Sequence, residues 1–333
     1  MKQLLDKLVE GQSLTEPEAR GLLDAMTDPE LDQVQAAAAL TALRMKGETA
    51  DEVRGFALRL RELAIRPDTP RDAPAVDIVG TGGDGSGSLN LSTGAALLAA
   101  AAGVPVIKHG NRSISSKSGS ADVLEALGLT IPLDPGPAGE LFDRTGFTFL
   151  FAPGYHPAMK SIAPVRRALG IRTIFNIAGP LANPATPPFQ VIGAYSLPMA
   201  EIMAETLSGM PIERAFVVHG DPGWDEPTPI GPYHLFEVSP GSVLFSVEDP
   251  ADFGIARCTP DDLAGADAQH NAAQIIAAFD GGPGPHRDAL VLGASLALRV
   301  TGSERDEAFS IASNAIDDGR ARTLVDTLAT VHV

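Results

Sequence analysis

Residues Val76-Asp-Ile-Val-Gly-Thr-Gly-Gly-Asp-Gly-Ser-Gly-Ser-Leu-Asn-Leu-Ser-Thr93 decide how this chain is read. Four strand-forming residues, 76–79, run into Gly80-Thr81-Gly82-Gly83-Asp84. A polar loop follows, and an alanine-rich helix begins near Ser92 or Thr93. Strand, glycine turn and helix N-terminus together make an anion site, because glycines let backbone N–H groups close on phosphate oxygens and the unpaired N–H groups of the helix start face the same charge. An ordinary strand-to-helix turn has the same outline, so the glycines alone leave both readings open. No Gly-Lys-Ser/Thr follows, so this is not a P-loop. Gly80, Gly82 and Gly85 fit a literal Gly-x-Gly-x-x-Gly, but the helix starts too late for a Rossmann turn.

The next loop separates the two readings. Val104-Pro-Val-Ile107 reads as a second short strand that leads into Lys108-His-Gly-Asn-Arg-Ser-Ile-Ser-Ser-Lys-Ser-Gly-Ser-Ala-Asp122. Lys108, His109, Arg112 and Lys117 are interleaved there with five serines, in an otherwise acidic chain. A charge run is usually a solvated face, but cations and hydroxyls this dense suit a phosphate better than packing. The helix after it is signalled from about Ser120, with Asp122 in its first turn and Gly128 past its end. Two successive strand–loop–helix units of this kind suggest one ligand with two phosphorylated ends.

The 333 residues suffice for one large domain, or a large and a small one. A hydrophobic content of 44% with mean hydropathy near zero reads as soluble and globular. The most apolar run, Gly94 to Ile107, is too short to span a bilayer and is broken at Gly103-Val-Pro105. The N-terminal residues carry no apolar core followed by a cleavage site. The lone Cys258 excludes an internal disulfide and suits a reducing cytoplasm. A net charge of −17 argues against nucleic acid as the main partner.

Residues 1–66 read as an all-helical unit. Thr15-x-x-Glu18, Thr27-x-x-Glu30 and Thr49-x-x-Glu52 read as three capping boxes. Leu31, Val34 and Ala38 fit one helical face, as do Val53, Phe56, Leu60 and Leu63. A proline-containing connector from Arg66 to Pro74 marks a boundary. Beyond it, strands expected at 76–79, 104–107, 147–151, 190–194, 215–219 and 233–238 alternate with helices, which implies a mainly parallel sheet covered by helices. Helices are expected from Asn271 to Phe279, Asp288 to Val300, Arg305 to Asp317 and Ala321 to Ala329.

Gly80-Thr-Gly-Gly-Asp84, Asn90-Leu-Ser-Thr93 and Lys108-His-Gly-Asn-Arg-Ser-Ile-Ser-Ser116 resemble the anthranilate phosphoribosyltransferase family. So do Tyr155-His-Pro-Ala-Met159, Ala163-Pro-Val-Arg166 and Phe175-Asn-Ile-Ala-Gly-Pro-Leu-Ala-Asn-Pro184. The likeness runs in order along nearly the whole chain. It implies a small helical domain over 1–66, joined by a helical segment near 155–185, and a large α/β domain over 75–333 of the nucleoside phosphorylase/phosphoribosyltransferase kind. It also implies a homodimer through the small domains. The implied reaction displaces pyrophosphate from C1 of phosphoribosyl pyrophosphate by the amino group of anthranilate. Such a step needs charge neutralised, reactants aligned and water excluded.

The resemblance carries over residue by residue. Gly80, Gly83 and Asp84 match the pyrophosphate loop, and Gly80 also nears the aromatic substrate. Ser88 and Asn90, Leu91, Ser92 and Thr93 match contacts to ribose and phosphate, and Ser92 also matches a hydroxyl ligand of one of two Mg²⁺ ions. Lys108 matches the cation at the leaving group. Asn111 matches a polar contact to anthranilate, with His109 in the same wall. Gly110, Arg112, Ser113, Ile114, Ser115, Ser116 and Ser120 complete the donor cradle.

Arg166 matches the carboxylate-binding residue of the acceptor, since a guanidinium fits a benzoate in geometry and charge. A surface ion pair is the plain alternative for Arg166 and Arg167. Asp225 and Glu226 match the second metal site, and they follow a strand's C-terminal end, where ligands gather in α/β sheets. The chain departs from the family pattern at Pro227-Thr-Pro229 with Trp224 nearby, which leaves the conformation of that loop open. Tyr155 and His156 read either as tunnel lining or as an ordinary helix start. Two other readings compete: a pyrimidine nucleoside phosphorylase on the same scaffold, and a non-enzymatic relative that binds nucleic acid. Gly80-Thr-Gly-Gly-Asp84 with Lys108-His-Gly-Asn111 weighs against the first, and the net charge against the second.

Overall fold

The computed structural model describes residues 1–112 and 117–331. Ser113, Ile114, Ser115 and Ser116 of the expected donor cradle lie outside the described residues. The N-terminal unit contains α1 (Lys2–Val9), α2 (Glu16–Thr27), α3 (Gln33–Lys46) and α4 (Ala50–Leu63). Thr15 and Thr49 cap α2 and α4 as read: the Thr15 and Thr49 amides donate to Glu18 at 2.8 Å and Glu52 at 2.9 Å. The third box is not there. Thr27 ends α2 and turns its hydroxyl back on Leu23 and Asp24, while Asp32 caps α3 by accepting from Val34 N at 2.9 Å.

The apolar face expected on α3 is also corrected. Ala36, Ala39, Leu40 and Leu43 face the core, whereas Val34 and Ala38 face outward. In an alanine-rich helix with apolar residues on both sides, periodicity alone does not choose the buried one. On α4, Val53, Phe56 and Leu60 are buried as expected, and Leu63 is half-buried.

The rest of the chain alternates strands and helices. In order it forms β1 (Val76–Gly80), α5 (Leu91–Ala101), β2 (Val106–Gly110), α6 (Ser120–Ala126), α7 (Pro135–Thr145), β3 (Phe147–Phe151), α8 (Ala152–Tyr155), α9 (Met159–Leu169) and α10 (Ile174–Ala178). Then come β4 (Phe189–Gly193), α11 (Leu197–Ser208), β5 (Arg214–Gly220), β6 (Tyr233–Ser239) and β7 (Ser242–Glu248). Helices α12 (Ala268–Phe279), α13 (Pro285–Val300), α14 (Arg305–Asp317) and α15 (Arg320–Thr330) close the chain. Strand β7 was not foreseen. It is a mostly exposed edge strand, so it lacks the buried face that gives strands a sequence signal. The second strand begins and ends later than expected, which moves Lys108, His109 and Gly110 from a loop onto the sheet.

Among the described residues the sheet has seven strands in the order β3-β2-β1-β4-β5-β6-β7, parallel except where β6 joins β5 and β7. The chain winds outward from β1 to β2 and β3, then restarts on the other side of β1 with β4. The crevice at the C-terminal ends of β1 and β4 is therefore a topological switch point, where open α/β sheets bind ligands. One sheet face and helices α5 and α12–α15 enclose one apolar core. The other face shares a second core with α1–α4, α9, α10 and α11, so the segment containing Ile162, Val165, Phe175 and Leu181 packs with the N-terminal helices. No helix among the described residues is long and apolar enough to cross a membrane.

Candidate active site at the switch point

Three strand-ending glycines shape the floor of the crevice. Gly80 and Gly193 are direct partners across β1 and β4, and Gly220 ends β5. A Cβ on Gly80 would overlap the Asp225 carboxylate, on Gly193 the Asp225 carbonyl, and on Gly220 the Glu226 carbonyl. Only glycine lets the 225–226 backbone settle into the sheet end there. Gly193 and Gly220 stand in ordinary strand patterns, so nothing near them in sequence signals this role.

The two acids are held from opposite sides. Asp225 accepts the Gly82 N–H at 2.7 Å, and Glu226 accepts the Ser92 N–H at 2.9 Å. Two backbone donors expected to face phosphate thus face the protein's own carboxylates. Asp84 joins them, with Oδ2 3.4 Å from the Asp225 amide and Oδ1 accepting from Ser86 N and Oγ at 3.0 and 2.9 Å. Burial pushes the Asp225 carboxyl up to about 7, with Asp84 adding to the rise, and the Glu226 carboxyl up to about 8, with Asp225 adding to it. A cavity of about 10 Å³, the size of one water, is bordered by Ser92, Gly193, Asp225 and Glu226.

Crowded buried carboxylates beside a hydroxyl are a hard-oxygen donor set suited to Mg²⁺. Among the described residues no three acidic, imidazole or thiol side chains form a complete ligand set for one ion. An ion at Asp225 and Glu226 would take further oxygens from elsewhere, as Mg²⁺ commonly does from substrate phosphates.

Lys108 and His109 differ most from their sequence reading. Lys108 is buried on β2, and its Nζ donates to the Ile78 carbonyl. Burial lowers the ammonium's affinity for its proton, while Asp77, Glu226 and Asp225 favour the charged form. His109 is not a loop residue exposed to solvent. It is buried, with its Nε2 3.2 Å from Nε2 of His156 and the two rings edge to face at 5.1 Å. Burial holds His109 well below the usual imidazole range and His156 down to about 4, so both rings are neutral near pH 7. The same region is tied by Asn183, whose Nδ2 donates to Asp77 at 2.9 Å and to the Ile107 carbonyl at 2.8 Å. His156 thus has a specific neighbour, beyond the ordinary helix start first considered. Tyr155 is structural, its hydroxyl donating to the Leu133 carbonyl at 3.0 Å.

Arg166 lies on α9, which continues through Pro164 where an interruption was expected. Its guanidinium sits 5.0 Å from the Phe175 ring centroid. Burial lowers its affinity for the proton, and among the described residues it has no ion pair. The surface-pair alternative for Arg166 thus has no partner here, while Arg167 is exposed. A second cation went unnoticed in the sequence. Arg172 donates to the Gly83 carbonyl and lies over the Tyr195 ring at 4.0 Å.

The remaining expected residues divide between the loops and the helix start. Asn90 donates to the Ser118 carbonyl at 3.1 Å and accepts from Asn271 at 2.8 Å, which joins the two anion loops to α12. Ser88 pairs as an isolated bridge with Ala264. Leu91 and Thr93 are buried in the first turn of α5, and the Thr93 hydroxyl has no partner among the described residues. Gly110 ends β2 against Phe149, Asn111 is exposed, and Ser120 begins α6. Arg112 is turned onto α6, ion-paired with Glu125 at 2.5 Å and Asp122 at 3.1 Å. Its charge is already matched, so it is not a free cation facing the crevice. In the atypical 227–229 stretch Thr228 is buried, and Trp224 is buried in the sheet-side core.

This fold, a helical bundle against an α/β sheet with an anion crevice at the switch point, defines a class of glycosyl transferase. Residues 2–64 match the family model for the helical bundle domain of a glycosyl transferase family, and residues 72–322 match that for its a/b domain. The chain is 44% identical to the anthranilate phosphoribosyltransferase of Methylobacterium nodulans over 99% of this chain and 98% of that one. It is likewise 44% identical to that of Desulforudis audaxviator over 97% and 93%. A crystal structure of anthranilate phosphoribosyltransferase from Thermus thermophilus superposes with a TM-score of 0.91 at 40% identity, covering 98% of both chains. The Saccharomyces cerevisiae enzyme in complex with PRPP and Mg shares the fold, with a TM-score of 0.87 at 24% identity over 99% and 98%. The chain belongs to the anthranilate phosphoribosyltransferase family.

Proposed function

We propose that this protein transfers the 5-phosphoribosyl group of phosphoribosyl pyrophosphate to the amino group of anthranilate, releasing pyrophosphate, as a step of tryptophan biosynthesis. The observation that carries the reading is the pairing of two unlike sites. The glycine-cradled, carboxylate-rich loop suits a diphosphate with metal, and the Arg166 guanidinium, without an ion pair among the described residues, suits one aromatic carboxylate.

On the donor side, Gly83, Asp84, Ser88 and Asn90 to Thr93 are the residues against which the diphosphate and ribose are placed. Asp225, Glu226 and Ser92 would hold Mg²⁺, two ions in our reading, which supply charge neutralisation for the leaving group when bound. Asp225 and Glu226 accept the Gly82 and Ser92 amides. If these carboxylates held a metal instead, the Gly82 and Ser92 amides would be open to phosphate oxygens. Lys108 would serve the leaving group from β2, with its Nζ held by the Ile78 carbonyl and its charged form favoured by Asp77, Glu226 and Asp225 against the cost of burial.

On the acceptor side, Arg166 with Asn111 orients anthranilate so that its nitrogen faces C1. The neutral His109–His156 wall presents no competing charge. Neutral walls also disfavour water, which would otherwise hydrolyse an oxocarbenium-like centre.

We further propose a homodimer through the N-terminal helices. Val34 and Met45 on α3 are 78% and 83% exposed, and Val9 at the end of α1 is 71% exposed. Val34 and Met45, eleven residues apart, fall on one face of α3, and apolar side chains grouped on one exposed face suit an interface. A cytoplasmic location is consistent with the lone thiol, Cys258.

The test mixes protein with anthranilate, phosphoribosyl pyrophosphate and Mg²⁺ and follows the loss of anthranilate fluorescence, with a metal-free control. A metal-dependent decline is expected. No decline, with pyrophosphate still bound, would leave the donor site and overturn the acceptor.

A further inference from the structure

Arg172 has no part in any reading of the sequence, yet it reaches the centre of the donor loop. It stands between α9 and α10, in the segment that packs with the N-terminal helices, and its guanidinium donates to the carbonyl of Gly83. The Cζ of that guanidinium lies over the ring of Tyr195, 4.0 Å from its centroid. Tyr195 is fixed in turn to the same loop, because its amide donates to the Thr81 hydroxyl at 3.1 Å. Among the described residues Arg172 has no carboxylate partner.

The consequence follows from peptide geometry. In a trans peptide the carbonyl and the following N–H point in opposite directions. Arg172 holds the Gly83 carbonyl, so the Asp84 N–H points away from Arg172. No acceptor for that N–H is found among the described residues. Gly82 and Gly83 have φ values of +64° and +70°, and glycines turn over such a peptide with little steric resistance. Nothing in the glycines themselves selects the orientation that leaves a donor free. The contact with Arg172 does. A Cβ on Gly83 would lie 2.9 Å from Arg172 Nη2, and the φ of +70° there favours glycine.

We propose that Arg172, braced by Tyr195, is a positioning residue for the donor's diphosphate: it fixes the Gly83–Asp84 peptide with its N–H available to an anionic oxygen. This rests on the phosphoribosyl reading of the donor loop. Because Arg172 belongs to the segment that packs with the helical unit, the same contact makes the anion loop depend on how that unit sits.

The probe is inorganic pyrophosphate with Mg²⁺, titrated calorimetrically into the full-length protein, alongside steady-state kinetics. Arg172→Met is expected to weaken pyrophosphate binding and raise the donor KM about tenfold, the range of one hydrogen bond to a charged group. The acceptor KM and kcat stay within about twofold, and added guanidinium ion restores part of the affinity. Tyr195→Leu, which keeps the cation and removes its brace, shifts the donor KM the same way by about threefold. A crystal structure of Arg172→Met should show the Gly83 carbonyl turned over. Unchanged pyrophosphate affinity, equal losses in both KM values and kcat, or an unmoved Gly83 carbonyl would each overturn the assignment. Failure of the unaltered protein to bind pyrophosphate would overturn the phosphoribosyl reading and this proposal with it.

Discussion

The two halves of the site handle charge in opposite ways. On the donor side, Asp84, Asp225 and Glu226 are crowded together, and burial pushes two of them up toward neutrality. That half is assembled from backbone amides and three glycines, and it gains by receiving a cation. On the side we propose for the acceptor, His109 and His156 pair as neutral rings, and Arg166 rests on Phe175 with no ion pair among the described residues. That half gains by receiving an anion. A buried charge without its partner is costly. In our reading a cation would favour the ionised form of the donor-side carboxyls and an anion would match Arg166, so the two halves favour ligands of opposite sign.

Breaking the donor half should have the largest effect. Replacing Asp225→Asn together with Glu226→Gln is expected to lower kcat by roughly 10²–10³-fold, the range for losing electrostatic stabilisation at a reacting centre. The half-saturating Mg²⁺ concentration should rise, and a Mg²⁺ titration that superposes on that of the unaltered protein would refute the ligand assignment. Next comes the acceptor half. Arg166→Ala should raise the anthranilate KM by roughly 10- to 100-fold, since a hydrogen bond to a charged group contributes about 1.5–3 kcal/mol. The donor KM should move less than twofold, and parallel rises in both constants would place the acceptor carboxylate elsewhere.

The third contrast concerns protons. His156 is lowered from 6.5 to about 4 by burial. Below pH 6.5 the unfolded chain takes up a proton at this residue that the folded chain refuses, so stability falls as pH drops through that window. The loss reaches about 3 kcal/mol by pH 4, at 1.36 kcal/mol per pKa unit. His156→Asn should flatten that part of the profile in urea-unfolding midpoints at pH 7 and 4.5; identical slopes for both proteins would show that the pair does not set it. The smallest effect on activity belongs outside the site. Val34→Glu with Met45→Glu should halve the mass seen by light scattering while kcat changes less than twofold. A mass unaffected by both charges would remove α3 from the interface.

The fold was legible where local rules act alone. Capping boxes at Thr15 and Thr49 announced α2 and α4, and the strand–glycine turn–helix pattern of 76–93 announced β1 and α5. Reading failed where two local signals competed. Thr27 resembles a cap but ends its helix, because Asp32 lies at the true start of α3. Lys108 and His109 look like loop residues because charged and titratable side chains seldom sit in a central strand. Buried Asp77 beside them changes that balance, and Asn183, 106 positions away, completes it.

By itself the sequence determined the class of chemistry: an anion loop on a parallel α/β sheet, a helical unit before it, and motifs sufficient to mark the family. Tertiary structure alone decided which donors are free. Asp225 and Glu226 reach the Gly82 and Ser92 amides over 143 and 134 positions of chain, and Arg172 reaches Gly83 over 89. The physical reason is range. Turn and cap preferences are set by neighbours along the chain, whereas burial, charge balance and the direction of a peptide depend on groups that only folding brings together.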